Sequence, residues 1–146
     1  MKYLERVIAL TALVITVMVS STVAFGQERQ TLVNIPFNFT VGDKALPAGK
    51  YLIRRNRKDA DTVWVIQHKD SGKSALFLTR NVHSAETQGD AKFVFQKYDD
   101  LYFLSEFWTA GTNTGREIQV TDRERAMQKA LAVAPTVHVL IDRGGK

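Results

Sequence analysis

Paired carboxylates are the first chemistry that this sequence offers. Glu106 lies among aromatic residues, Glu117 follows Gly115 and Arg116, and Asp99 and Asp100 are adjacent. A glycosidase needs two carboxyls about 5 to 10 Å apart in a groove, one of them with a pKa raised by burial. Nothing in the spacing pairs any two of these residues, and Glu106 is expected instead to form a partly buried ion pair with Arg116. His68, His83 and His138 lack the close spacing that sets two ligands on one metal, so no metal and no cofactor is expected. Gly72, Lys73 and Ser74 end like a phosphate-binding loop, but that motif needs a glycine where Gln67 stands and must open a helix. No Gly-x-Ser-x-Gly elbow occurs.

Two further clusters suit binding better than catalysis. Tyr98, Tyr102, Phe103, Phe107 and Trp108 concentrate rings in one short stretch, where Tyr98, Tyr102 and Trp108 are candidates to meet a glycan or peptide. The plainer reading makes these rings the core, because each buries roughly 150 to 250 Å². Arg54, Arg55, Arg57 and Lys58 crowd together ahead of Asp59 and Asp61, and would suit an anionic polymer. Their plainer reading is a solvated loop with charges paired locally, since no aromatic residue interleaves with them.

Strands must position nearly all of these residues. From Thr31 to Tyr51 the chain first puts Val33, Ile35, Phe37, Phe39 and Val41 on one face of an extended strand, then turns at Pro47 with Gly49 closing a type I turn. Lys50 to Asn56 and Thr62 to His68 follow as strands. Ser74 to Val82 is another, and its consecutive Leu76, Phe77 and Leu78 suggest that both faces are covered. His83 to Ala91 has no periodicity and reads as the longest surface loop. Lys92 to Tyr98 and Leu101 to Thr109 form the clearest hairpin, turning at Asp99 and Asp100, and Gly111 and Gly115 mark a further turn.

Thr121 and Glu124 form a capping box, the hydroxyl taking the Glu124 amide and the carboxylate reaching back. The helix should run from Asp122 to Ala134, with Ala126, Met127, Ala130, Leu131 and Ala134 on one face, and stop before Pro135. Thr136 to Asp142 is a last strand, with Val137, Val139 and Ile141 expected inward and His138 and Leu140 outward. This order predicts a mainly β domain, an antiparallel β-sandwich or partly closed barrel of about seven to eight strands with one C-terminal helix.

The first 26 residues read as an export signal peptide: Lys2 and Arg6 precede an apolar run, Val7 to Val19, and small residues follow up to Ala24 and Gly26. A membrane is expected as a partner only if this segment stays attached. Without it one domain remains, residues 27–146. The loss of two basic residues and one acidic residue lowers the net charge from +5 to +4. So small an excess on an exported chain does not point to nucleic acid. The chain has no cysteine, so burial and hydrogen bonding alone must hold it together.

Asn34-Ile-Pro-Phe-x-Phe39, Leu46-Pro-Ala-Gly-x-Tyr51, Tyr98-x-Asp100-x-Tyr102-Phe-Leu104, Trp108-Thr-Ala-Gly111 and Gly115-Arg-Glu117 together resemble a group of short exported β-rich proteins common in acidobacteria. The likeness covers most of residues 27–146 up to the helix, with Asp99 standing where that pattern has Gly. It implies an exported β-rich domain and brings no activity or catalytic residue. Leu46-Pro-Ala-Gly-x-Tyr51 is also similar to the turn into a strand of prealbumin-like sandwich modules, an analogy of fold alone. The expected function is a non-enzymatic binding or structural role at the cell envelope, periplasmic or extracellular, with a glycan, peptide or anionic polymer as partner. The alternative is a small hydrolase for a glycan or ester that uses Glu106 or Glu117 with a histidine.

Overall fold

Alternation of buried and exposed side chains governs nearly every element of the computed structural model, which describes residues 30–56, 61–131 and 134–142. The expected signal at 1–26, together with Arg57 and Lys58, lies outside the described residues. Ten strands and one helix are present among them: β1 (Thr31–Ile35), β2 (Phe39–Val41), β3 (Lys44–Leu46), β4 (Gly49–Arg55), β5 (Val63–His68), β6 (Ser74–His83), β7 (Ala91–Tyr98), β8 (Leu101–Trp108), β9 (Thr114–Ile118), α1 (Asp122–Leu131) and β10 (Thr136–Asp142). The protein is thus mainly β, with a single described helix near its C-terminal end. No helix among the described residues is long and apolar enough to cross a membrane.

The opening strand keeps its inward face but not its continuity. Val33, Ile35, Phe39 and Val41 are buried as the alternation requires, yet the chain leaves the ladder at Pro36, which has no amide to donate. The two halves then serve different neighbours: β1 pairs antiparallel with β4, while β2 pairs with β3 and, through Thr40 and Phe103, runs parallel to β8. This break and the short β3 and β9 bring the strands above the expected seven to eight.

The remaining pairings are antiparallel and run β1-β4-β5-β6-β9-β8, with β7 on the far side of β8 and β10 beyond it. β6 joins the two halves. Its residues from Ser74 to Leu78 pair with β5, and those from Thr79 to His83 pair with β9, so one long strand belongs to both sheets. The sheet curls around a core of Tyr51, Ile53, Trp64, Ile66, Phe77, Phe93, Phe95 and Phe107, and it does not close.

Five expectations about these elements are corrected. Leu76 and Leu78 are 62% and 49% exposed, so β6 is covered on the Phe77 face only. β10 is turned over: Val137, Val139 and Ile141 are 63%, 45% and 53% exposed, while Leu140 packs on the core and His138 meets the rings of Phe37 and Tyr102. Two apolar faces compete in such a strand, and the inward one is chosen by pairing with β7, which sets His138 opposite Phe95 and Leu140 opposite Phe93. The described helix spans Asp122–Leu131, and Ala134 is not helical. Its buried residue is Glu124, while Ala126 and Ala130 are exposed. Only half of the capping box forms: the Glu124 amide donates to Thr121 Oγ1 at 3.3 Å, and Gln128 on the next turn bonds the Glu124 carboxylate.

Two glycines make close packing possible. At Gly49 (φ +154°) a Cβ would lie 2.2 Å from His68 Nε2, and at Gly115 it would lie 2.4 Å from the Trp108 ring. The β7–β8 turn is the hairpin expected, with Asp99 at φ 52°, in the left-handed region that a glycine adopts without strain. Gly115→Ala is expected to cost about 1–3 kcal/mol in urea unfolding. Gly89→Ala, where nothing lies within 4 Å, is expected to stay within about 0.5 kcal/mol. Equal costs would contradict the close approach.

Candidate functional site

The β7–β8 hairpin carries the aromatic candidates and sends them three ways. A register shift between Val94 and Phe95 resets the alternation along the pair. Tyr98 turns toward α1, where its buried hydroxyl accepts from Gln128 Nε2. Burial and the charge of Glu124 raise the Tyr98 pKa, against a lowering by the Gln128 bond. Trp108 lies buried on Gly115, with the Lys92 ammonium 4.9 Å from its ring and its indole N–H donating to Glu106 at 3.1 Å. Neither presents a free ring face.

Tyr102 alone of the three stays partly open. It stacks on Phe37 at 4.1 Å, both rings meet the edge of His138 at 5.3 to 5.5 Å, and Lys97 Nζ sits 5.4 Å from the Tyr102 ring. Phe37 comes from the break between β1 and β2, and His138 from β10, so three distant segments build one ring cluster at this end of the sheet. Phe37 and His138 were not among the sequence candidates. The available signals were a proline interrupting an apolar strand at Pro36 and a lone imidazole in the apolar run after Thr136.

A second constellation lies between α1 and the outward face of β7, β8 and β9. It is an open groove of about 350 Å³ lined by Tyr98, Ser105, Glu106, Glu117, Glu124 and Gln128 among others. Glu106 and Glu117 are direct neighbours across β8 and β9, a pairing invisible in their spacing. Glu117 is held by two bonds from Arg80, at 2.6 and 2.8 Å. Glu124 is 7% exposed, and burial raises its pKa against an opposing bond from Gln128. The groove thus contains a neighbouring carboxylate pair beside a buried carboxyl whose pKa is raised, and acid–base hydrolysis uses carboxyls of such unlike environments. None of the three histidines lines it: His68 lies against Gly49, His83 meets Thr114, and His138 belongs to the ring cluster. Among the described residues no group of three or more acidic or imidazole side chains is arranged to hold a metal ion.

The basic run is divided. Arg54 and Arg55 are successive strand residues and point to opposite faces. Arg55 donates to Asp61 at 2.6 Å. The expected Glu106–Arg116 ion pair does not form, because Glu106 and Glu117 share the outward face while Arg116 turns inward opposite Phe107. Arg116 instead donates to Asn81 Oδ1 and, at 3.3 Å, to the Asp61 carbonyl, with its guanidinium 5.4 Å from the Trp64 ring.

No protein-family model, curated protein or solved structure matches the chain.

The raised Glu124 pKa carries a sign. The folded chain binds this proton more tightly than the unfolded chain does. The associated stability is therefore fully present below the unfolded value near 4.5 and is lost as pH rises through the raised folded value. Comparing urea midpoints at pH 4.5 and 7.5, Glu124→Gln is expected to gain on the unsubstituted protein as pH rises. Parallel profiles for the two proteins would contradict this.

Proposed function

We propose that this chain is an exported, non-enzymatic domain that binds a glycan of the cell envelope through the ring cluster of Phe37, Tyr102 and His138. The carrying observation is the convergence of three rings from separate segments, with Phe37 and Tyr102 packed on the core but only partly buried and His138 exposed, while the other large aromatics among the described residues are buried. Sugars offer apolar C–H faces bordered by hydroxyls. The exposed parts of the rings supply the apolar contact, while the Tyr102 hydroxyl, the His138 nitrogens and the Lys97 ammonium supply polar partners. Export is supported by the basic start and apolar run of residues 2–19 and by the resemblance to exported acidobacterial proteins.

An aromatic anchor in such a site contributes about 1–2 kcal/mol, so Tyr102→Ala and His138→Ala should each weaken retention on envelope polysaccharide about tenfold, measured by affinity electrophoresis. Unchanged retention in both variants would overturn the assignment.

A second reading rests on the Glu106–Glu117 pair beside Glu124, which supports a small glycan or ester hydrolase. On that reading a panel of glycoside and ester substrates shows turnover that Glu106→Gln or Glu124→Gln abolishes and Tyr102→Ala leaves in place. Turnover with that pattern would displace the binding proposal.

A further inference from the structure

The far end of the sheet from the ring cluster gathers positive charge from strands that are distant in sequence. Arg55, the last residue of β4, and Arg116, in β9, both direct a terminal nitrogen to Asp61, one to its carboxylate at 2.6 Å and the other to its carbonyl at 3.3 Å. Trp64 donates its indole N–H to the same carbonyl at 3.1 Å, and the Arg116 guanidinium lies 5.4 Å from the Trp64 ring. Asn81, directly opposite Arg116 on β6, accepts from the same guanidinium nitrogen.

The Asp61 carboxylate is therefore engaged by Arg55, while Arg116 reaches only the backbone carbonyl of the same residue. Arg116 has only neutral acceptors as hydrogen-bond partners among the described residues: an amide oxygen and a backbone carbonyl. Both of its bonds use one terminal nitrogen, whereas the planar fork can bind an oxyanion through two. Partial burial and the nearby Arg55 both disfavour the charged form of Arg116, opposed by Asp61. Arg55, Asp61 and Asn81 are exposed, so the cluster is open to solvent.

We propose that Arg55 and Arg116 form an anion-binding site at this end of the sheet, receiving a carboxylate or phosphate group on the Arg116 fork above Trp64, with Arg55 as the second cation. The site is separate from the ring cluster and does not depend on its role. It also differs from a site built on the contiguous run Arg54 to Lys58, because it draws Arg116 from β9 and leaves Arg54 on the other face.

The two tryptophans make the test internal to one spectrum. The 15N-labelled full chain, at low ionic strength, is titrated with inorganic phosphate in one arm and with glutarate in another, and both indole N–H signals are followed. The Trp64 signal is expected to shift and saturate while that of Trp108, which bonds Glu106, stays in place. Arg116→Gln and the exposed variant Arg55→Gln should each weaken the binding about tenfold or more. An unmoved Trp108 signal in each variant reports that the fold is kept. Saturation in both arms identifies a general oxyanion site, and saturation in one identifies the preferred group. A Trp64 signal unmoved in both arms, or an identical titration in Arg55→Gln, would overturn the proposal.

Discussion

Phe107 holds the two halves of the sheet together. From β8 its ring meets Trp64 of β5 at 4.9 Å, Phe77 of β6 at 6.2 Å and Phe93 of β7 at 6.5 Å, so one side chain contacts strands on both sides of the corner that β6 makes. Without a cysteine in the chain, no covalent link can share that task. At the other end Phe39 performs a similar role between Tyr51 and Phe95. Tyr51 is sealed in deeply enough that burial pushes its phenol up to about 12, while its hydroxyl donates to the Pro47 carbonyl. Rings this tightly placed leave little room for a solvated centre among them.

Much of this arrangement was legible because period-two alternation is local. The inward set from Val33 to Val41, the two-residue turn at Asp99 and Asp100, and the loop of residues 84–90 follow from side chains read a few at a time. What escaped depends on distant partners. β9 contains a glycine and two charged residues in five, so it carries no strand signature. It becomes a strand because the Trp108 ring needs Gly115 beneath it and the Phe107 row needs a neighbour. Likewise the inward face of β10 is selected by β7, and Val137 and His138 could have exchanged roles on local pattern alone.

The candidate sites follow the same division. Glu106 and Glu117 were visible as carboxylates but not as neighbours, since eleven positions of sequence separate two residues that β8 and β9 set side by side. The expected Glu106–Arg116 pair rests on the tendency of isolated charges near a core to find each other, whereas the pleat sends the two to opposite faces. Tyr102 was named, but its companions Phe37 and His138 come from segments that meet only when the sheet curls. Residue type was readable, and the coincidence of types in space was a property of the register.

The unclosed seam has a dynamic consequence. Among the described residues β1 has a ladder partner only in β4, and β10 only in β7, so each of these strands can detach without breaking a second ladder, whereas β9 lies between β6 and β8, and β8 between β9 and β7. Amide exchange should therefore be graded around the sheet, with β10 and β1 opening by local fraying and the β8 and β9 amides exchanging only when the whole domain unfolds. His138 sits on one of those fraying strands. The ring cluster is thus built partly on the least protected wall of the domain, and an occupant that bridged His138 and Phe37 would slow exchange across the seam as a direct measure of its grip.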